Sequence, residues 1–284
     1  MDSTVTTSQV KAAAAESSFT KDGLAKDDLW TLAAFGVLAY MISNVLHEGL
    51  GHGGVALLSG AHRITVTSTY MDASFDTRWI LAAGTLVNLV FGAVGLIALR
   101  SMRHAGIPMR LFVWTLTAFN LLLGTGYFLF SGIGGIGDWA EWMKGLSPMW
   151  AWRVGCALLG LVSYGLTAWL LARELVRIAG TNRDRDNQAR LRRMTWTIYF
   201  AGGLTACAAG VWNPMGWRLV LISAAASSFG GASALLWIPS IAPRCDQDAV
   251  AVTNVISRLW SVVIGTALLL ATYVWFLGPG VRLG

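Results

Sequence analysis

The sequence is poor in charged residues. Asp, Glu, Lys and Arg together make up only 13% of its 284 residues, whereas hydrophobic residues make up 55% and the mean hydropathy is +0.57. In an average soluble domain about a quarter of the residues are charged. The composition therefore excludes an ordinary soluble domain and predicts an all-α polytopic membrane protein.

Cysteine and histidine are scarce as well. Two of the three cysteines, Cys156 and Cys207, lie within apolar runs, so we expect neither a disulfide framework nor a thiolate metal cage. The four histidines are too few to hold the two irons of membrane hydroxylases and desaturases. The first 28 residues contain no apolar core of the length that a signal peptide needs, and they are predicted to form a disordered polar tail.

Long apolar runs divide the rest of the chain into seven predicted transmembrane helices of about 20 residues each. The predicted helices are Leu29–Leu46 with an extension to Leu58, Trp79–Leu99, Leu111–Phe130, Met149–Ala172, Met194–Trp212, Leu219–Ile238 and Leu259–Leu277. Between the first two, Ile64, Val66 and Ser68 alternate with threonines, a pattern that predicts a short β-hairpin. An exposed edge of this strand could bind an extended peptide.

The positive charges are concentrated in the loops between these runs. The net charge is +6, but this distribution indicates membrane topology and gives no reason to expect nucleic acid as a partner. Most of the 21 Lys and Arg residues fall in the N-terminal tail and in the second, fourth and sixth loops, which share one side of a seven-helix arrangement. The positive-inside rule therefore predicts an integral multi-pass protein of the cell membrane with a cytoplasmic N-terminus.

The end of the first run carries the most informative motif, LHEGLGHGG from Leu46 to Gly54. A histidine followed by glutamate, with a second histidine one helical turn later, places two zinc ligands and a general base on one helix. His52 follows His47 by five residues, which on a regular helix places the two side chains roughly 140° apart. The pair can share a metal ion only if a π-bulge distorts the helix, and Gly49 and Gly51 favour such a distortion.

A carboxylate for the same ion is predicted at the end of the third run. The segment SGIGGIGDWAEWMKG places Asp138 on the same side of the membrane as the histidines. His47, His52 and Asp138 are therefore predicted to bind one Zn²⁺, which leaves a fourth coordination position for water. Asp76 and Glu141 are the reserve candidates for the carboxylate.

These motifs resemble those of the site-2-protease family of intramembrane zinc metalloproteases. HEGLGHGG is similar to the family's HExxH motif, and Phe119 to Trp142 resembles the segment that ends in the family's aspartate ligand. Between them, Leu81 to Val94 is similar to the AGPLxN span, with Thr85 where proline is usual. Trp139 stands where glycine usually follows the aspartate. The resemblance covers about Tyr40 to Trp142.

The chain is therefore predicted to consist of a polar tail (1–28), a membrane core of three helices that the resemblance identifies as metalloprotease-like (29–146), and four additional transmembrane helices packed on that core (147–284). It also implies an intramembrane zinc-dependent protease that cleaves transmembrane or membrane-adjacent peptides. Glu48 is expected to be the catalytic base, since it is the only acidic residue within a continuous apolar run. Two alternatives remain: a non-catalytic membrane protein with a structural metal site, and a zinc-dependent membrane lipid amidase.

The predicted topology can be tested by labelling. We expect single cysteines placed at Asn182 and Lys144 to react from opposite sides of the membrane, with Lys144 outside, because loops rich in positive charge remain in the cytoplasm. A membrane-impermeant maleimide, applied to intact cells and to inverted vesicles, measures the accessibility. Equal labelling of both positions from outside would contradict the seven-helix arrangement.

Overall fold

The computed structural model describes residues 26–180, 185–213, 216, 220–243 and 255–283. Within these residues the chain is helical apart from three short strands. In chain order the elements are α1 (Leu29–Asn44), π1 (Val45–Gly53), α2 (Gly54–Leu58), β1 (Ile64–Val66), β2 (Met71–Asp72), α3 (Arg78–Ser101), α4 (Ile107–Gly134), α5 (Asp138–Met143), α6 (Met149–Ala179), α7 (Arg185–Gly210), π2 (Val220–Gly230), α8 (Ala234–Ile241), α9 (Trp260–Leu277) and β3 (Val281–Leu283). Most of the predicted tail lies outside the described residues, as do residues 181–184 of the fourth loop.

The predicted fold class is confirmed. In the described parts of the chain, six helical segments are long and apolar enough to cross a membrane: Leu29–Leu58, Arg78–Ser101, Ile107–Gly134, Met149–Ala179, Ala224–Ile241 and Trp260–Leu277. The predicted helix Met194–Trp212 corresponds to most of α7 and is not among the six. Helix α7 begins with the basic stretch that precedes Met194, so it is less apolar than its neighbours.

Helix α4 forms the centre of the bundle. Its side chains Trp114, Phe119 and Leu122 are fully buried, and they belong to one large core that also contains residues of α1, α6, α7 and α8. The indole Nε1 of Trp114 donates a hydrogen bond to the carbonyl of Leu171 at 3.0 Å, so the buried polar atom of this core residue is satisfied. Because α4 packs against several helices, the position of its C-terminal end is fixed, and so is the position at which α5 begins.

The first described residues tie three parts of the chain together at one end of the bundle. Asp27 accepts two hydrogen bonds from Arg190, at 2.6 and 2.9 Å, and a third from the backbone N–H of Ile256 at 2.9 Å. The side chain of Asp27 is fully buried and that of Arg190 is 10% exposed. Both partners of this ion pair are thus buried within the protein. The pair also places the start of α1 beside the start of α7, so that these two helix ends lie on one side of the bundle.

A small sheet lies at the opposite end of the bundle, with strand order β2-β1-β3. The predicted hairpin is present, with Thr65 of β1 opposite Asp72 of β2. The other edge of β1 is paired with β3, where Thr65 lies opposite Arg282. The hypothesis that the strand from Ile64 to Ser68 offers an edge to a peptide is therefore wrong, because both edges of β1 are already paired.

The buried ion pair predicts a large loss of stability when one partner is removed. Asp27→Ala should lower the free energy of unfolding by about 3 kcal/mol or more, since it leaves the Arg190 guanidinium buried without its carboxylate. The neighbouring Asp28→Ala is the matched control. Asp28 caps α1 by accepting a hydrogen bond from the Thr31 N–H, and it pairs with the half-exposed Arg258. Loss of its side chain should lower the free energy of unfolding by only about 1 kcal/mol. Unfolding in mixed detergent micelles measures the free energy of unfolding of both variants. Equal losses would contradict the assignment of Asp27 and Arg190 as a buried ion pair.

Candidate metal centre

The helix that carries both histidines changes its winding where the motif begins. Residues Val45–Gly53 form a π-helix, in which backbone hydrogen bonds connect residues five positions apart. This winding brings residues separated by five positions onto one face, so His47 and His52 point in the same direction. Their ring centroids are 4.8 Å apart and the rings are nearly perpendicular. The predicted distortion is confirmed, and it extends over nine residues.

Three side chains meet at this point. The Nε2 atoms of His47 and His52 lie 3.2 Å apart, and each lies 3.2 Å from Oδ2 of Asp138. Among the residues that the structure describes, this is the group whose geometry can hold a metal ion. The two histidines are buried and the Asp138 side chain is 23% exposed.

Hydrogen bonds from outside the triad orient both imidazoles. Nδ1 of His52 lies 2.6 Å from the carbonyl oxygen of Ile80, so that nitrogen carries a proton and donates it. Nδ1 of His47 lies 3.4 Å from Nδ2 of the Asn88 amide, and Oδ1 of the same amide has no partner among the described residues. With the amide turned so that Oδ1 accepts from Nδ1, His47 has the same tautomer as His52. Both Nε2 atoms then present lone pairs to the centre of the triad, as metal-binding histidines do.

The three facing atoms of the triad could hold a metal ion. Each Nε2 faces the other Nε2 and a carboxylate oxygen, and none of these atoms carries a proton when both Nδ1 atoms do. In that tautomer a metal ion would satisfy all three atoms at once.

Two glycines allow α3 to approach the π-helix closely enough to complete the site. A Cβ at Gly51 would lie 2.6 Å from Cα of Gly84, and a Cβ at Gly84 would lie 2.5 Å from Nε2 of His52 and 2.7 Å from Nε2 of His47. No real side chain tolerates such contacts. The space next to the nitrogens is therefore available only because position 84 has no side chain.

Asp138 reaches the histidines because the chain turns sharply after α4. Gly135 and Gly137 have φ values of 66° and 84°, in the left-handed region that glycine adopts readily. Helix α5 then begins at Asp138, and Trp139 donates a hydrogen bond from Nε1 to Thr85 Oγ1 of α3 at 3.0 Å. Burial raises the pKa of Asp138, whereas positive charge and N–H donors on His52 and His47 lower it below its usual range. Asp138 is thus a carboxylate beside protonated imidazoles, and the carboxylate is also the form that binds metal.

Glu48 lies beside the triad in a small cavity of about 30 Å³, which it lines together with His47. Its side chain is buried, like those of the histidines. Ser68 also lines the cavity, and its Oγ has no hydrogen-bond partner within the described part of the chain. Buried polar atoms without a protein partner commonly bind water or ligand. The cavity is thus polar, and about one water molecule fits into it.

A turn after β1 closes one side of this cavity, and distant parts of the chain hold the turn in place. The backbone N–H of Ser68 donates to the carbonyl of Leu277 at 2.8 Å. Asn44 donates from Nδ2 to the carbonyl of Ser68 at 3.2 Å and accepts a hydrogen bond from the Tyr273 hydroxyl at 2.6 Å. Sequence analysis missed Asn44 and Tyr273. Asn44 is detectable as a polar residue within an apolar run, whereas nothing in the sequence distinguishes Tyr273.

The remaining candidate residues lie away from the triad. Glu141 pairs with Lys144 three residues later, and Asp76 is exposed. His62 and His104 are exposed as well. The reserve carboxylates are therefore not part of the described metal-binding group.

Gly84→Ala should weaken metal binding, since the added methyl group occupies the space next to both Nε2 atoms. We expect at least a tenfold loss of metal affinity, as for other changes that misplace ligands. Gly155→Ala in α6 is the control, because a Cβ there would meet no atom within 4 Å. Metal content of the purified proteins by mass spectrometry is the measurement. Retention of metal by Gly84→Ala would contradict the assigned geometry.

Comparison of the chain with protein-family models, with curated proteins and with solved structures found no match.

Proposed function

We propose that this protein is an intramembrane zinc-dependent hydrolase that cleaves transmembrane or membrane-adjacent peptides. The observation that carries the proposal is the triangle of His47 Nε2, His52 Nε2 and Asp138 Oδ2, with sides of 3.2 Å, beside the buried Glu48. Two nitrogens and one carboxylate form the ligand set of several catalytic zinc sites, and a fourth position stays open for water.

The dimensions of the triangle agree with zinc. A tetrahedral ion with ligands at about 2.0 to 2.1 Å holds those ligands roughly 3.3 Å from one another. The three atoms lie 3.2 Å apart before any ion is added. The donors are imidazole nitrogen and carboxylate oxygen, which suit zinc better than the larger, all-oxygen site that calcium requires.

Glu48 is the residue that we assign to proton transfer. Bound zinc would supply polarisation of the substrate carbonyl and would lower the pKa of a water molecule. A carboxylate of Glu48 then accepts a proton from the attacking water and passes it to the amine that leaves when the amide bond breaks. Glu48 is not part of the metal-binding triad, so its carboxylate remains free for this role.

Local geometry accounts for three departures from the site-2-protease pattern, which supports membership of a divergent branch of that family. The additional residue between His47 and His52 is accommodated by the π-helix. Thr85 and Trp139, which replace the usual proline and glycine, form a hydrogen bond with each other. The two replacements are therefore coupled, and together they attach α5 to α3 next to Asp138.

The orientation proposed for the protein places the N-terminus in the cytoplasm and the triad toward the opposite side of the cell membrane. The cluster of Asp27 with Arg190 lies at one end of the bundle, and the sheet and Asp138 lie at the other. A peptide that is embedded in the membrane or lies at its surface can reach the end of the bundle at which the triad lies. Because β1 has no free edge, the substrate must bind elsewhere than on that strand.

Glu48→Gln should separate metal binding from catalysis. The amide keeps the shape of the side chain but cannot accept the proton, so we expect a full complement of zinc and at least a hundredfold loss of turnover. Asp138→Ala is the contrasting variant and should lose zinc and turnover together. Substrates are identified as membrane peptides that accumulate uncut in cells carrying Glu48→Gln, by quantitative proteomics of the membrane fraction. If Glu48→Gln keeps its zinc and cleaves these peptides at the wild-type rate, the hydrolase proposal fails.

A further inference from the structure

An apolar cavity lies next to the small polar cavity that contains Glu48. Its volume is about 310 Å³, and it lies between α4, α6 and the second π-helix, π2. Its lining consists largely of apolar side chains and glycines, among them Leu129, Phe130, Ile133, Ala226 and Gly230. We call this cavity the side pocket.

Two residues separate the side pocket from the metal centre. Tyr127 and Ser227 line the side pocket and also line the polar cavity. The ring of Tyr127 packs against the ring of His47, with 5.1 Å between centroids. The side pocket therefore begins one side chain away from a metal ligand, on the side of the triad that faces π2.

The polar groups that Tyr164 and Ser233 contribute to the side pocket already have hydrogen-bond partners. The hydroxyl of Tyr164 is already bonded to the carbonyl of Gly231 at 2.8 Å, and it accepts a hydrogen bond from the N–H of Ala234 at 2.9 Å. Ser233 Oγ lies 3.1 Å from the same hydroxyl. These polar groups satisfy one another, so an apolar group is what the pocket can bind favourably.

The pocket is open to the surroundings of the bundle. Ile133 at its border is 67% exposed, and Gly230 is exposed. A Cβ at Gly230 would meet no atom within 4 Å, so the missing side chain there leaves open space. In a membrane-spanning bundle such an opening faces lipid, which is where the peptides of the proposed function reside.

We propose that the side pocket binds one compact apolar side chain of the substrate, adjacent to the amide bond that is cut. The inference rests on the proposed function and adds substrate selection to it. A volume of about 310 Å³ is at the lower end of ligand-binding pockets, which span roughly 300 to 1,000 Å³. It accommodates a branched or aromatic side chain, whereas a long acyl chain would extend beyond it.

Hydroxamates of increasing size test the proposal without a known substrate, because the hydroxamate group binds zinc and its substituent probes the space nearby. Acetohydroxamate, 3-methylbutanohydroxamate and dodecanohydroxamate are titrated calorimetrically into the zinc-loaded full chain in one detergent. 3-Methylbutanohydroxamate has three more carbons than acetohydroxamate. Since each buried carbon increases the affinity about fourfold, it should bind at least tenfold more tightly than acetohydroxamate.

Filling the pocket should remove this gain. In Gly230→Leu and, independently, Ala226→Leu, we expect unchanged zinc content and unchanged binding of acetohydroxamate, with the tenfold preference lost. Gly265→Leu in α9 is the matched control, because its Cβ also meets no atom within 4 Å and it does not line the pocket. It should behave as wild type.

The possible failures are distinguishable. If acetohydroxamate does not bind the zinc-loaded chain, the open coordination position and the proposed function are overturned. If it binds but the branched compound shows no gain, or keeps its gain in both filled variants, the side pocket is not the subsite. If the filled variants lose binding of dodecanohydroxamate alone, the pocket receives a lipid acyl chain and the side-chain proposal is wrong.

Discussion

The candidate metal centre depends on the winding of one helix. Regular α-helical geometry would separate side chains five positions apart by roughly 140°, whereas the π-helix from Val45 to Gly53 places His47 and His52 together. A π-helix is less favourable than an α-helix and persists where its surroundings stabilise it. Here the close contact of Gly51 with Gly84 and the hydrogen bond from His52 to Ile80 hold it against α3. The rest of the site is built on this contact.

The second constraint is the attachment of Asp138, which comes from a different helix. Its carboxylate needs a fixed position, and the short helix α5 would have little stability by itself. The hydrogen bond between Trp139 and Thr85, together with packing of the Trp139 ring on Phe128 at 4.7 Å between centroids, fixes α5 on α3 and α4. Trp139 and Thr85 thus fix the position of the third residue of the triad.

Much of the triad was predictable from the sequence because its residues lie in short motifs with a known chemical purpose. The meeting of His47, His52 and Asp138 was expected from these motifs, and glycine content indicated the π-helix. The pairing of β1 with β3 and the contact between Asn44 and Tyr273 were not predictable, because these partners are far apart in the chain and have no distinctive local pattern. Gly84 lies within the segment from Leu81 to Val94, but only the packing of α3 shows that it lies against both imidazoles.

The closed wall of the polar cavity depends on residues that are far apart in the chain. The triad comes from the first half of the chain, but the turn at Ser68 is held by Leu277, and Asn44 is bonded to Tyr273 at a separation of 229 positions. Asn213 adds a hydrogen bond to Thr69 in the same turn. The cavity beside Glu48 therefore has its closed wall only when α9 is docked, so the shape of the site is coupled to completion of the bundle.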